Sequence, residues 1–193
     1  LASKIVSEAP DRKNSGLLSY RASGPERVAH YEEVRDSPGL VGVATPWPSL
    51  NSAVQCFVNG EFIVVTAMQN TGKTWALCVM ADHALKLGKK VLLVSLEMAG
   101  DRIQRRLDAI RYKIPFKHIR NATMPEDVEE VWRSRIKEDV DGDGDILVAD
   151  KQSVSHVHDV LALVKQHKPD IVFIDGGYRF APKPQGGRGP ASQ

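Results

Sequence analysis

The stretch Val64 to Leu77, "VVTAMQNTGKTWAL", decides how the rest of the chain is read. It is entered through "FIVVTA" (Phe62–Ala67), a run of strand formers without polar alternation, which predicts a strand buried on both faces of a parallel sheet. It is left through "KTWALCVMADHALKLG", where Leu77, Met80, Ala81, Ala84 and Leu85 share one side and Gly88 supplies the stop, the pattern of a helix. Gly72, Lys73 and Thr74 lie between strand and helix, where a phosphate-binding loop is built. The main-chain N–H groups of Asn70, Thr71, Gly72, Lys73 and Thr74 are then expected to converge on phosphate oxygens at a helix N-terminus. Lys73 adds a point charge for the β- and γ-phosphates, and the Thr74 hydroxyl can ligate Mg²⁺. Gln69 and Trp75 flank these residues and complete the nucleotide-contact candidates, although Trp75 also reads as a packing residue. Ala67 stands where the GxxxxGK[ST] pattern has its first glycine, and a methyl there is compatible with extended backbone.

Two acids fall where such a loop needs them. "DIVFID" followed by "GGY" puts Asp175 at the end of a buried strand, and a parallel sheet brings its carboxyl ends to one crevice. Asp175 can hold Mg²⁺ there, directly or through water. "KVLLVSLE" (Lys90–Glu97) ends on Glu97 at the same edge, where a carboxylate can deprotonate a water that attacks a γ-phosphate.

The remaining pattern agrees with a parallel sheet covered on both faces by helices. "GDRIQRRLDAIRYKI", "PEDVEEVWRSRIKE" and "VHDVLALVKQHKP" read as helices, and "DILVAD" as a short strand. Upstream, Ser23 and Glu26 form a capping box before a short helix with Val28, Tyr31 and Val34 on one face. The division expected is an extension with a linker helix over residues 1–40 and a nucleotide-binding domain over residues 41–193.

The chain has 193 residues and a formal charge of +2, so overall charge makes no case for a polyanion partner. Cys56 and Cys78 show no CxxC spacing, which predicts a reduced intracellular protein. No apolar run reaches the ~18 residues of a membrane span, and the amino terminus does not read as a signal peptide. "DVDGDGDILVAD" imitates a calcium loop from Asp139 to Asp150, but Ile146–Ala149 fit a strand better and a solvated acidic turn is expected.

At these residues the chain resembles a RecA-like P-loop ATPase, specifically the DnaB type of replicative DNA helicase in a phage version. The resemblance runs from Gly42 to the end and rests on "GVATPWPSLN", "TGKT", "KKVLLVSLEM" and "DIVFIDGGY", with Pro46 departing from a glycine usual in the family. It implies ATP and Mg²⁺ as cofactors, with Lys73 and Thr74 as loop residues, Glu97 as catalytic base and Asp175 as the Mg²⁺-linked acid. A homo-oligomeric ring, usually a hexamer, is implied, moving 5′ to 3′ along single-stranded DNA in the cytoplasm, with primase or a helicase loader as further partners. Arg179, Lys183 and Arg188 would fall in a DNA-facing region, and the capped helix would dock on a neighbouring protomer. In such cores a further strand follows the one bearing Asp175 and inserts between it and the phosphate-loop strand. The resemblance therefore implies a longer natural polypeptide, this chain being truncated after the Asp175 strand and poorly active alone. Two other readings remain open on the same fold: a recombinase forming a filament on DNA, and a scaffold whose nucleotide only holds subunits together.

Overall fold

The computed structural model describes residues 19–36, 42–54, 56–58 and 60–181. They fall into two units divided between residues 41 and 42. In the first unit helix α1 (Gly24–Asp36) begins directly after Ser23. Arg27 organises its start: Nη1 donates to Tyr20 O and to Ser23 Oγ, and the guanidinium lies 3.9 Å from the Tyr20 ring centroid.

The second unit contains α2 (Pro48–Val54), α3 (Lys73–Lys86), β1 (Lys90–Ser95), α4 (Gly100–Arg111), α5 (Phe116–Asn121), α6 (Glu126–Glu138), β2 (Asp145–Asp150), α7 (Val157–His167) and β3 (Ile171–Asp175). The three strands form a parallel sheet in the order β2-β1-β3. Ser95 pairs with Asp150 on one side and with Asp175 on the other, so the carboxyl ends of all three strands finish level.

β1 is the central strand, and its sequence shows it. Val91, Leu92, Leu93 and Val94 are almost fully buried, because successive side chains point to opposite faces and both faces are covered. Val91 and Leu93 join Cys78, Met80, Ala81, Ala84, Ile103 and Phe173 in one core cluster, under α3 and α4. Leu92 and Val94 join Leu96, Ala149, Val154 and Val160 in the other, under α7. Truncating one such leucine to alanine costs about 2–5 kcal/mol.

The strand expected over Phe62–Ala67 is not formed. Residues 61–68 have no regular secondary structure, and Phe62, Val64 and Met68 are 90%, 64% and 83% exposed. A strand exists only through a hydrogen-bonded neighbour, and the described strands stop at β3 with no neighbour on its outer side. These apolar β-formers, unpaired with any described strand, stay exposed to solvent.

The acidic stretch also differs in detail from a plain solvated turn. Asp139 Oδ2 accepts from Arg111 Nε and from the Tyr112 hydroxyl, each at 2.7 Å. Asp150 Oδ2 accepts the Gly100 N–H at 2.9 Å, fixing the start of α4 to the end of β2. Main-chain donors of this kind, Gly100 and then Gln152, hold the Asp150 carboxyl below the usual range. Among the described residues no three His, Cys, Asp or Glu side chains converge as metal ligands.

Candidate nucleotide site

The loop before α3 folds through two left-handed residues, Asn70 at φ 59° and Gly72 at φ 92°. A Cβ on Gly72 would meet nothing within 4 Å, so what favours glycine here is the backbone conformation, not a lack of space. Lys73 then opens α3, whose first turn carries N–H groups without intrahelical acceptors. The Lys73 ammonium reaches back across the loop to Ala67 O at 2.8 Å and Met68 O at 2.9 Å. Thr71 Oγ1 donates to the same Met68 carbonyl at 2.6 Å. The loop thus closes on itself around Lys73, and Ala67 takes part through its carbonyl.

Thr74 points the other way, into the sheet edge. Its Oγ1 donates to Asp175 Oδ2 at 2.8 Å. Asp175 is 5% exposed, and burial raises its carboxyl above the ordinary range. The Thr74 hydrogen bond opposes that shift, the charge of Glu97 adds to it, and Lys73 and Arg106 pull against it. The same interior affects Cys78, whose thiol is pushed up to about 12 by burial.

The register delivers Glu97. Beyond the Ser95↔Asp175 pair, Leu96 N–H donates to Asp175 O at 3.0 Å, so Glu97 emerges beside Gly176. The chain turns sharply there, with Gly176 at φ 78°. A Cβ on Gly176 would come within 2.7 Å of Glu97 Cγ, so this position needs glycine for both conformation and space.

Lys73, Thr74, Asp175 and Glu97 are therefore brought to one edge, and Asn70, Thr71 and Gly72 lie in the adjoining loop. Gln69 lies exposed in the turn that begins the loop. Trp75 takes the packing side of its double reading: its ring packs edge-on against Phe116 of α5, with centroids 5.1 Å apart. Arg106 lies between the two, 5.4 Å from the Trp75 centroid and 5.0 Å from that of Phe116. The aromatic contact braces the first turn of α3, to which Trp75 belongs. Arg179, read as a DNA-facing residue, has its Nε 3.9 Å from Glu97 Oε1. Lys183 and Arg188 lie outside the described residues.

Sequence reasoning missed Arg106, Phe116 and Tyr178. Arg102, Arg105, Arg106, Phe116 and Arg120 line a cleft of about 350 Å³ beside Trp75. The clustering of Arg102, Arg105 and Arg106 on one helix was a signal for it, but nothing in the pattern tied that helix to Trp75. Tyr178, whose hydroxyl donates to Glu97 Oε1, carried no motif of its own.

A left-handed loop closed on a lysine, a hydroxyl bound to a carboxylate on a neighbouring strand, and a second carboxylate beside it define a nucleoside-triphosphate-binding α/β domain. Residues 42–178 match the model of the DnaB-like helicase C terminal domain, and the chain belongs to that family. It is 30% identical over 122 residues to the replicative DNA helicase DnaB of Buchnera aphidicola subsp. Acyrthosiphon pisum, a match covering 62% of this chain and 27% of that protein. The DnaB of Buchnera aphidicola subsp. Baizongia pistaciae is also 30% identical, over 53% of this chain and 23% of its own length. The chain thus spans about a quarter of the length of these relatives. Among solved structures, an ATPase domain superposes with a TM-score of 0.73 at 21% identity, over 84% of this chain and 60% of that one. A DnaB-like replicative helicase, solved in a study of its interactions with primase, superposes at 0.65, also at 21% identity, over 90% and 41%. These likenesses establish the RecA-like fold.

Proposed function

We propose that this chain is the ATPase core of a DnaB-type replicative helicase, which hydrolyses ATP between adjacent subunits of a homo-oligomeric ring and moves 5′ to 3′ along single-stranded DNA. The observation that carries the reading is the 2.8 Å bond from Thr74 Oγ1 to Asp175 Oδ2, with Lys73 and Glu97 at the same sheet edge. A hydroxyl and a carboxylate side by side are the hard oxygen donors that Mg²⁺ takes, so the residues present fit the ion. Thr74 and Asp175 would hold the ion, and it would supply positive charge beside the phosphates.

The chain's own groups do the rest. Lys73 exchanges its two carbonyl acceptors, Ala67 O and Met68 O, for phosphate oxygens, a charge-assisted replacement of neutral partners. Main-chain N–H groups of residues 70–74 receive the remaining phosphate oxygens. Glu97 accepts the proton of the attacking water. Arg179, with Lys183 and Arg188, supplies positive charge to the DNA backbone. Residues 1–40 form an extension whose helix α1 docks on a neighbouring protomer, and residues 41–193 form the ATPase domain. A primase or helicase loader is the expected protein partner, in line with the relative solved in a study of primase interactions. The cytoplasm is the expected compartment.

The test is Glu97→Gln, which keeps shape and removes the basic oxygen. ATP binding, followed by calorimetry, is expected to remain, and hydrolysis to disappear. Hydrolysis that survives the substitution would count against Glu97 as the base, and a chain that binds no ATP would sink the whole reading.

A further inference from the structure

Glu97 is held from one short segment. Its Oε1 accepts the hydroxyl of Tyr178, and Arg179 Nε lies 3.9 Å from the same oxygen. Its Cγ rests on Gly176 too closely for any larger residue. All three partners belong to the turn that leaves β3 directly after Asp175, and the turn is fixed at both ends. Before it, Leu96 N–H is bonded to Asp175 O; after it, Phe180 packs in the second core cluster and Ala181 N–H donates to Ser155 O at 2.9 Å.

We propose that Tyr178 is a positioning residue for Glu97: its O–H anchors Oε1, which orients the carboxylate and leaves Oε2 to take the proton of the attacking water. The inference rests on the ATPase reading above. A general base works only within hydrogen-bond reach of the proton it removes, and a glutamate on the solvent edge of a sheet has three side-chain torsions to fix. A donor that holds one oxygen fixes those torsions without neutralising the base. The O–H bond of water breaks and its proton goes to Oε2. The water oxygen forms a bond to the γ-phosphorus, and the bond from that phosphorus to the bridging oxygen breaks, leaving the electron pair on ADP. The Oε2 proton is returned to solvent as products leave.

Tyr178 suits a test, because it is 78% exposed and adds nothing to the core. Tyr178→Phe keeps the ring and removes only the donor. Steady-state hydrolysis by the full chain with ATP, Mg²⁺ and single-stranded DNA is compared for the wild type, Tyr178→Phe and Glu97→Gln. The expected result is a fall in kcat of about tenfold for Tyr178→Phe with KM for ATP little changed, the loss of one hydrogen bond to a charged group at the reacting centre. A kcat equal to or above the wild type, or a rise in KM alone, overturns the role of Tyr178 while leaving the ATPase reading intact, provided Glu97→Gln is inactive. If Glu97→Gln hydrolyses ATP as fast as the wild type, Glu97 is not the base and this inference fails with it, whereas a wild type that neither binds nor hydrolyses ATP sinks the ATPase reading itself.

Discussion

Thr74 and Asp175 stand 101 positions apart in the chain and are joined by a 2.8 Å hydrogen bond. That bond ties the first turn of α3 to the carboxyl end of β3. Residues 61–68, which lead into the loop, contribute no strand pairing to the link.

The partner of Thr74 is a carboxylate kept where it costs stability. Burial raises the Asp175 carboxyl, so the folded chain holds that proton more tightly than the unfolded chain does. The corresponding stability is present below the unfolded pKa of about 3.9 and is lost as pH rises through the folded value. At pH 7 the wild type therefore bears a buried charge that Asp175→Asn does not. Thermal melts are expected to show the variant more stable at neutral pH, by roughly a few degrees, with the gap closing as acid protonates the wild type. A variant that melts lower at pH 7 would contradict this.

Arg111 gives the opposite dependence. It links the buried Asp82 on α3, at 3.3 Å, to Asp139 after α6, at 2.7 Å. The Arg111 guanidinium holds the Asp139 carboxyl below the usual range, with the Tyr112 hydroxyl helping. Stability from a lowered carboxyl is present above the unfolded pKa and lost as pH falls through the folded one. Arg111→Met, which keeps most of the aliphatic stem, is expected to cost about 1–3 kcal/mol at pH 7, because among the described residues Asp82 then keeps only Lys86 as its ionic partner. Urea denaturation checks it, and the deficit should shrink towards the acid limb.

Hydrogen exchange separates the two kinds of apolar segment. Amides of β1 (Lys90–Ser95) lie between two paired strands and should exchange only by large-scale opening. Amides of residues 62–68 make no ladder and should exchange within the dead time of the experiment. Protection of residues 62–67 comparable to β1 would mean that the segment is paired after all.

The sequence made β1, β2 and β3 legible because each is a short apolar run ended by a turn, and parallel pairing needs nothing more. The same rule misplaced Phe62–Ala67, because a run of β-formers records a strand's own preference and says nothing of whether a neighbour is present. At the site, Glu97 and Asp175 could be brought to one edge by counting from strand ends, and Lys73 and Thr74 by the Gly-Lys-Thr triplet that opens α3. Trp75 was harder to place: its ring is turned towards α5 by Phe116 and Arg106, and that contact depends on how two helices pack. Tyr178 was invisible for a related reason. Its partnership with Glu97 follows from the left-handed turn at Gly176, and the sequence showed the two glycines without the direction they give the chain.

The central claim is that Lys73, Thr74, Asp175 and Glu97 surround one metal-bound triphosphate. Calorimetric titration of ATP, in Mg²⁺ and again in EDTA, for the wild type and Asp175→Asn, tests it most directly. The wild type should bind ATP on the order of tenfold more tightly with Mg²⁺, and Asp175→Asn should lose that advantage while keeping the metal-free affinity. If Asp175→Asn retains the full benefit of Mg²⁺, the ion sits elsewhere and this sheet edge is not the site that uses it.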